Sequence, residues 1–101
     1  MTKKLNDEPV FSRAEIAGVL NVSVLTIANR EKTGKYPKPK RDLNNYRYYT
    51  LNDLFNLQLR TFDHIDAKPI ISIMYDKGYG SFKNVSQIID QALSKRGINA
   101  R

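Results

Sequence analysis

The sequence has no cysteine and a single histidine, His64, among its 101 residues. The absence of cysteine excludes disulfide bonds and thiolate metal sites. One imidazole cannot build a zinc site unless several carboxylates surround it. Asp63 and Asp66 lie near His64, but no residue is spaced to supply a third ligand or a nucleophile. We therefore expect no metal ion, no other cofactor and no catalytic residues, and we do not expect an enzyme.

Long hydrophobic runs are also absent. No apolar segment approaches the roughly 20 residues that a helix needs to cross a bilayer, and the polar N-terminal segment lacks the hydrophobic core of a signal peptide. Acidic residues are fewer than basic ones, 10 against 17, so the formal net charge is +7. We expect a cytoplasmic protein without a membrane partner, and the positive charge favours a polyanionic partner.

Two helix starts lie close together after residue 11. Ser12 and Glu15 have the spacing of a capping box, in which each side chain bonds the other residue's amide. Asn21 tolerates the left-handed conformation that a sharp helix exit requires. Ser23 is a suitable cap for a second helix, and Gly34 is a suitable stop for it. These signals predict two short helices joined by a tight turn, which by itself is also typical of a plain helical hairpin.

The second predicted helix has an apolar side and a polar side. At 100° per residue, the positions expected to face the first helix are Val24, Ile27 and Ala28. Those on the opposite side are Thr26, Asn29, Arg30 and Thr33. Hydroxyl, amide and guanidinium groups on one face can bond base edges and phosphates in a DNA major groove. Leu25, on the flank, is either a contact for a thymine methyl group or an exposed residue without a role.

A strongly basic segment follows. Residues 30–47 contain seven lysines and arginines against Glu31 and Asp42. Two prolines in this segment disfavour a helix. Asn44 and Asn45 suit the tip of a β-hairpin, and the aromatic residues after them suit a strand in which Tyr49 faces the core. A basic β-hairpin is predicted, with a solvated charged edge that deters strand pairing as the alternative.

Residues 10–60 resemble the N-terminal DNA-binding domain of the MerR-type winged helix-turn-helix regulators. The matching pieces are F11-S-x-A-E-I-A-x-x-L-N-V-S-x-x-T-I, R30-E-x-x-G-K-Y-P, P39-K-R with N45-Y-R-Y-Y, and the helix opening T50-L-N-D-L. The family usually has glycine where this chain has Asn45, and aromatic and arginine residues where it has Ala28, Asn29 and Arg30. The resemblance implies a mainly α fold, a winged helix-turn-helix with a short β-hairpin wing. The family's long dimerisation helix and effector domain are not expected.

The resemblance also implies that double-stranded DNA is the partner. In the family, the arginine of the matching Tyr-Arg pair reaches the DNA backbone or minor groove and the tyrosine contacts phosphate, roles that we carry to Arg47 and Tyr46. The helix face and the basic segment add candidates for base and phosphate contacts. The predicted DNA-binding residues are Ser23, Thr26, Asn29, Arg30, Lys35, Lys38, Lys40, Arg41, Asn45, Tyr46 and Arg47.

We expect three segments in the chain: a flexible N-terminal arm over residues 1–9, the DNA-binding region over 10–66 and a helical hairpin over 67–101. Thr50 and Asp53 predict a capped third helix, and Asn84 with Gln87 predicts the start of the last one. The most apolar part of the chain precedes that last helix. With the last helix, it is expected to mediate self-association through Ile70, Ile71, Ile73 and Met74.

The first functional hypothesis is a small sequence-specific transcription regulator, associated with the nucleoid of a prokaryote or encoded by a phage or plasmid. The second is an architectural factor of a mobile element, such as an excisionase-like protein or a DNA-packaging or partition adaptor. A third, of a different class, is a protein-interaction module whose basic face binds an acidic partner. Salt-sensitive DNA binding separates the third hypothesis from the other two.

Overall fold

The computed structural model describes residues 4–5 and 8–97. The chain divides into two compact units, residues 1–65 and 66–101. The elements of the first unit are β1 (Lys4–Leu5), β2 (Glu8–Phe11), α1 (Arg13–Leu20), α2 (Val24–Lys32), β3 (Lys40–Arg41), β4 (Arg47–Thr50) and α3 (Leu51–Phe62). Those of the second unit are α4 (Ala67–Asp76) and α5 (Phe82–Lys95). The expected mainly helical composition is confirmed, with one small sheet.

The sheet of the first unit is antiparallel and has the strand order β1-β2-β4-β3. Phe11 pairs with Tyr49 across β2 and β4, and both side chains are buried. The strand before α1 was not predicted, because residues 1–9 were assigned to a flexible arm. In that stretch, residues 4–5 and 8–9 belong to strands, which corrects the assignment there. Residues 1–3 and 6–7 lie outside the described residues.

The caps of α1 and α2 follow the local signals. The hydroxyl of Ser12 accepts from the amide of Glu15, whose carboxylate accepts from the amide of Ser12. Asn21 has φ 58° and ψ 43°, the left-handed geometry expected of the exit from α1. Ser23 then caps α2. Because each interaction joins residues close in the chain, the sequence alone was sufficient to predict them.

Helix α3 begins as expected and contributes to the core of the first unit. Thr50 and Asp53 form the predicted capping box. Leu54 and Phe55 are fully buried, whereas Leu59 and Phe62 are more than one-third exposed. The core of the first unit is formed by apolar side chains from β2, β4, the loop after α2 and all three helices: Phe11, Ile16, Ala17, Val19, Leu20, Ile27, Tyr36, Tyr49, Leu51, Leu54, Phe55 and Leu57.

In the second unit, α4 and α5 pack against each other. Asp66 caps α4, and Pro69 lies in its first turn, where the missing amide hydrogen costs nothing. Helix α5 begins earlier than expected, because Ser81 is its cap and accepts from the amide of Asn84. The prediction that Asn84 itself caps this helix was wrong. Ser81 and Asn84 have the same cap spacing that Asn84 and Gln87 have, so the local pattern could not choose between them.

The residues expected to mediate self-association differ in their exposure. Ile70 and Met74 have no accessible surface, so they cannot contribute to an interface with a second copy of the folded chain. Ile71 and Ile73 are half-buried. Ile70 and Met74 are four residues apart and therefore share one face of α4, which is the buried face. Ile71 and Ile73 lie on other faces of the helix and are less buried.

Candidate nucleic-acid interface

The N-terminal turn of α2 presents two hydroxyl groups. The Oγ of Ser23 accepts from the amide of Thr26 at 3.0 Å and lies 2.9 Å from the Oγ1 of Thr26. Asn29, one turn further on, is exposed, as is Leu25, whose side chain is 68% exposed. The start and middle of α2 therefore offer hydroxyl, amide and methyl groups to a partner. Val24 was expected to face α1, but its side chain is 44% exposed.

Arg30 is held against the interior of the first unit. Its Nη1 donates to the hydroxyl of Tyr36 at 2.8 Å, and its guanidinium carbon lies 5.4 Å from the centroid of the Tyr36 ring, within cation–π range. Tyr36 is buried, and its hydroxyl also bonds the Oγ1 of Thr61 at 2.5 Å. Arg30 thus joins α2 to α3 through Tyr36. It is half-buried and less available to a partner than the sequence analysis assumed.

We call β3, β4 and the turn between them the basic hairpin. Its strands pair in antiparallel register, with Lys40 opposite Tyr48 and Arg41 opposite Arg47. The Nζ of Lys40 donates to both carboxylate oxygens of Asp53, at 2.8 and 2.9 Å. Lys40 is therefore paired with a carboxylate within the fold, an interaction that the sequence pattern, which predicts a phosphate contact for this side chain, does not indicate.

The turn of the basic hairpin is held by several hydrogen bonds. The Oδ1 of Asp42 accepts from the amides of Asn44 and Tyr46, each at 2.9 Å. Arg41 donates through Nη1 to the carbonyl of Asn45 at 2.9 Å. Asn45 has φ 66°, a left-handed conformation that asparagine tolerates better than most residues. The side chain of Tyr46 is 70% exposed.

A cleft of about 330 Å³ lies between α2 and the basic hairpin. We call it the basic cleft. Its lining includes five cationic side chains and one carboxylate, together with Ala28 and Pro39. The charged lining residues are Arg13, Lys32, Lys38, Arg41, Arg47 and Glu31. The sequence-predicted candidates Lys38, Arg41 and Arg47 are brought together here, and Lys32 and Arg13 were missed.

An ionic network forms part of the wall of this cleft. Nη2 of Arg13 donates to Oε1 of Glu31 in a close ion pair, and the hydroxyl of Tyr49 donates to Oε2 at 2.5 Å. Nε of Arg13 also donates to the Tyr49 hydroxyl, at 3.4 Å. Glu31 is 7% exposed and Tyr49 is 2% exposed. The network connects the first turn of α1, the last turn of α2 and strand β4.

The position of Glu31 in the sequence contained a signal for this network. Glu31 comes four residues after Ile27, so the two share the buried face of α2. A buried carboxylate requires a charged or hydrogen-bonding partner. The signal identifies the need for a partner but not its identity, since Arg13 and Tyr49 are each 18 residues away along the chain.

The network changes the protonation of its tyrosine. Burial, together with the hydrogen bond to Glu31, raises the pKa of Tyr49 to about 12. The neutral phenol is therefore the stable form in the folded protein, and it keeps its proton available for Glu31. The guanidinium of Arg13 stays charged at all accessible pH values because of its high intrinsic pKa. Neutral Tyr49 and charged Arg13 are therefore both present around neutral pH.

Four cations of α2, the loop after it and β4 are not neutralised in this way. Within the part of the chain that the structure describes, Lys32, Lys35, Lys38 and Arg47 make no side-chain hydrogen bond or ion pair. All four are exposed. Lys32, Lys38 and Arg47 line the same cleft, so their like charges repel unless an anion lies between them.

Among residues 4–5 and 8–97, no group of three or more histidine, cysteine, aspartate or glutamate side chains is arranged to hold a metal ion. The helices described lack any stretch that is both long and apolar enough to cross a bilayer. Comparison with protein-family models, with curated proteins and with solved structures returned no match for this chain.

Proposed function

We propose that residues 10–65 form a winged helix-turn-helix unit that binds double-stranded DNA. In this proposal, α2 enters the major groove, the basic hairpin is the wing, and one sugar–phosphate strand passes through the basic cleft between them. The protein is a small sequence-specific transcription regulator that acts in the cytoplasm at the nucleoid. The observation that carries the proposal is the basic cleft itself, with five cations around a single carboxylate.

The electrostatics of the cleft support a polyanionic partner. Arg13 compensates Glu31 directly, which leaves the charges of Lys32, Lys38 and Arg47 without a counterion among the described residues. A phosphodiester backbone would relieve their mutual repulsion and release its own condensed counterions. Ala28, Glu31 and Lys32 of α2 line the cleft, so a sugar–phosphate backbone in the cleft would place the adjacent major groove against that helix.

The proposed role of each residue in DNA binding depends on how far its polar groups are already engaged within the protein. Asn29 and Thr26 can bond base edges from α2, and an asparagine pairs well with adenine. Arg30 supports the helix through Tyr36 and contacts DNA only with the donors that Tyr36 leaves unused. Lys40 is paired with Asp53 and contributes less to DNA affinity than its neighbours do.

Salt-dependent binding tests this proposal. A duplex selected by the wild-type protein from a random-sequence pool would be labelled, and its affinity measured by fluorescence anisotropy over a range of salt concentrations. If Lys32, Lys35, Lys38 and Arg47 each contact a phosphate, the logarithm of the association constant should fall with the logarithm of the salt concentration at a slope of about −4. The double variant Lys38→Gln with Arg47→Gln should bind more weakly, with a slope closer to zero by about 2.

A matched control removes the same charge from elsewhere. Lys83 and Lys95 are exposed on α5 and belong to the second unit, and replacing both by glutamine should leave the slope nearly unchanged. An equal effect of the two double variants would mean that net charge, and not the cleft, drives binding. Absence of binding at low salt would overturn the proposal and favour the acidic protein partner.

We also propose that the protein self-associates, through a surface that differs in part from the one predicted from the sequence. Tyr75 and Phe82 stack with ring centroids 4.2 Å apart and planes 6° from parallel, and both are about half exposed. With Ile71 and Ile73 they supply the apolar surface that Ile70 and Met74 cannot. Sedimentation of the wild-type protein and of Phe82→Ser would test this. A dimer should protect one pseudo-palindromic site in a footprint, whereas phased direct repeats would favour the architectural hypothesis.

A further inference from the structure

The tip of the basic hairpin carries an apolar side chain that folding does not explain. Leu43 lies in the turn between β3 and β4, and its side chain is fully exposed, at 105%. Tight turns favour glycine, asparagine, aspartate, serine or proline for reasons of backbone geometry and hydrogen bonding. A leucine here gains nothing from burial and orders water around its methyl groups. Single exposed leucines are common, so the surroundings of Leu43 decide whether it has a role.

The backbone on both sides of Leu43 is held by hydrogen bonds within the turn. Asp42 and Asn44 are joined by a side-chain-to-amide bond of 2.9 Å, and the amide of Asn45 donates to the carbonyl of Asp42 at 2.9 Å. The amide of Asp42 donates to the carbonyl of Tyr46 at 3.1 Å, which closes the turn. A side chain held outward on such a turn loses little conformational entropy when it inserts into a partner.

The neighbours of the tip are cationic or aromatic. Arg41 and Arg47 pair across the hairpin just below it, and Tyr46 is largely exposed beside it. A narrow DNA minor groove has an enhanced negative potential that attracts arginine. Minor-groove-binding proteins combine such cations with apolar wedges, leucine among them, that separate base steps and kink the duplex.

We propose that Leu43 inserts between two base pairs in the minor groove and kinks the DNA toward the major groove. This inference rests on the proposed DNA-binding function and adds the residue that deforms the duplex. The kinked step should be a flexible pyrimidine–purine step such as TA or CA, because these steps unstack most easily.

Bending and binding can be measured on one duplex. The duplex selected by the wild-type protein would carry a donor and an acceptor dye at its ends, with 2-aminopurine at the central step. The wild-type protein should shorten the end-to-end distance and raise 2-aminopurine fluorescence. Leu43→Ala should lose both signals while keeping the salt slope, since no phosphate contact is removed, and affinity should fall about tenfold or less. Leu43→Met should retain most of the kink, because methionine also acts as a wedge.

Leu25→Ala is the matched control, because Leu25 is also an exposed leucine but lies in α2 and not in the basic hairpin. This variant should bend the duplex as the wild-type protein does, whatever its effect on affinity. Leu43→Ala should melt at the wild-type temperature because the side chain is fully exposed. A wild-type protein that binds without bending, or a Leu43→Ala variant that bends equally, overturns the wedge but not the proposed function. If the protein binds no duplex, both the Leu43 wedge and the proposed DNA-binding function are wrong. In that case, binding to anionic vesicles that depends on Leu43 would indicate that the hairpin tip contacts a membrane surface.

Discussion

Replacing Glu31 by alanine should destabilise the first unit severely. Glu31 accepts hydrogen bonds from both Arg13 and Tyr49, so the substitution leaves two donors without a partner. Removing one member of a buried ion pair costs about 3–5 kcal/mol when the other charge stays buried. Arg13 is 17% exposed and can turn toward the solvent of the basic cleft. We therefore expect a loss of about 2–4 kcal/mol in the free energy of unfolding.

The conservative variants separate charge from hydrogen bonding. Glu31→Gln keeps an acceptor for one donor but loses the charge, so it should cost about 1–3 kcal/mol. Tyr49→Phe removes only the hydroxyl and should cost about 1–3 kcal/mol at neutral pH, because that hydroxyl bonds a charged acceptor. The double variant Glu31→Ala with Tyr49→Phe should cost less than the sum of the two single changes, since both remove the same bond.

The pH dependence gives an independent check. The pKa of Tyr49 is raised from 10 in the unfolded chain to about 12 in the folded protein. Its contribution is therefore fully present below pH 10 and is lost as the pH rises from 10 to about 12. A shift of two units corresponds to about 3 kcal/mol. In Tyr49→Phe this alkaline loss should be smaller by that amount, whereas titrating lysines affect both proteins alike.

Urea denaturation followed by the amide NMR signals of α1 and α2 would measure these values for the first unit alone. An unfolding free energy for Glu31→Ala within about 0.5 kcal/mol of wild type, the range of ordinary surface changes, would refute the reasoning. So would parallel alkaline profiles for wild type and Tyr49→Phe.

Two backbone predictions concern α1 and the residue at which it ends. Gly18 lies in α1, is exposed, and nothing would lie within 4 Å of an added Cβ; Gly18→Ala should therefore stabilise the protein by about 0.5–1 kcal/mol in thermal melting, and a destabilised variant would contradict the open space there. Asn21 has φ 58°, so Asn21→Gly should be tolerated while Asn21→Val costs about 1–2 kcal/mol. Equal denaturant midpoints for the two Asn21 variants would show that the helix exit carries no strain.

The local structure of the first unit could be predicted because its determinants are close in sequence. The capping boxes at Ser12 and Thr50 join residues three apart, and the left-handed exit at Asn21 depends on one residue's own backbone preference. Where two caps of equal quality overlapped, as at Ser81 and Asn84, the same local rules pointed to the wrong residue. Short-range signals therefore predicted that each of these helices exists, but they did not predict the residue at which α5 begins.

The candidate interface was only partly determined by sequence. The basic composition of residues 30–47 and the polar face of α2 are sequence properties, and they were sufficient to suggest a polyanionic partner. Which cations remain available is a tertiary property. Lys40 is neutralised by Asp53, 13 residues away, and Arg30 is held by Tyr36, whose hydroxyl is fixed by Thr61, 25 residues further on. No periodicity or composition encodes such pairs.

Sequence alone thus determined the mainly helical elements, the caps of α1, α2 and α3 and the excess of positive charge, since these depend on neighbours within one turn of helix or on composition. The tertiary structure decided that Glu31 is buried with Arg13 and Tyr49, that Lys32, Lys38 and Arg47 meet in one cleft, and that the side chain of Leu43 is fully exposed on a hydrogen-bonded turn. Those arrangements depend on which distant segments pack together, and packing is settled by the burial of the whole core rather than by any local pattern.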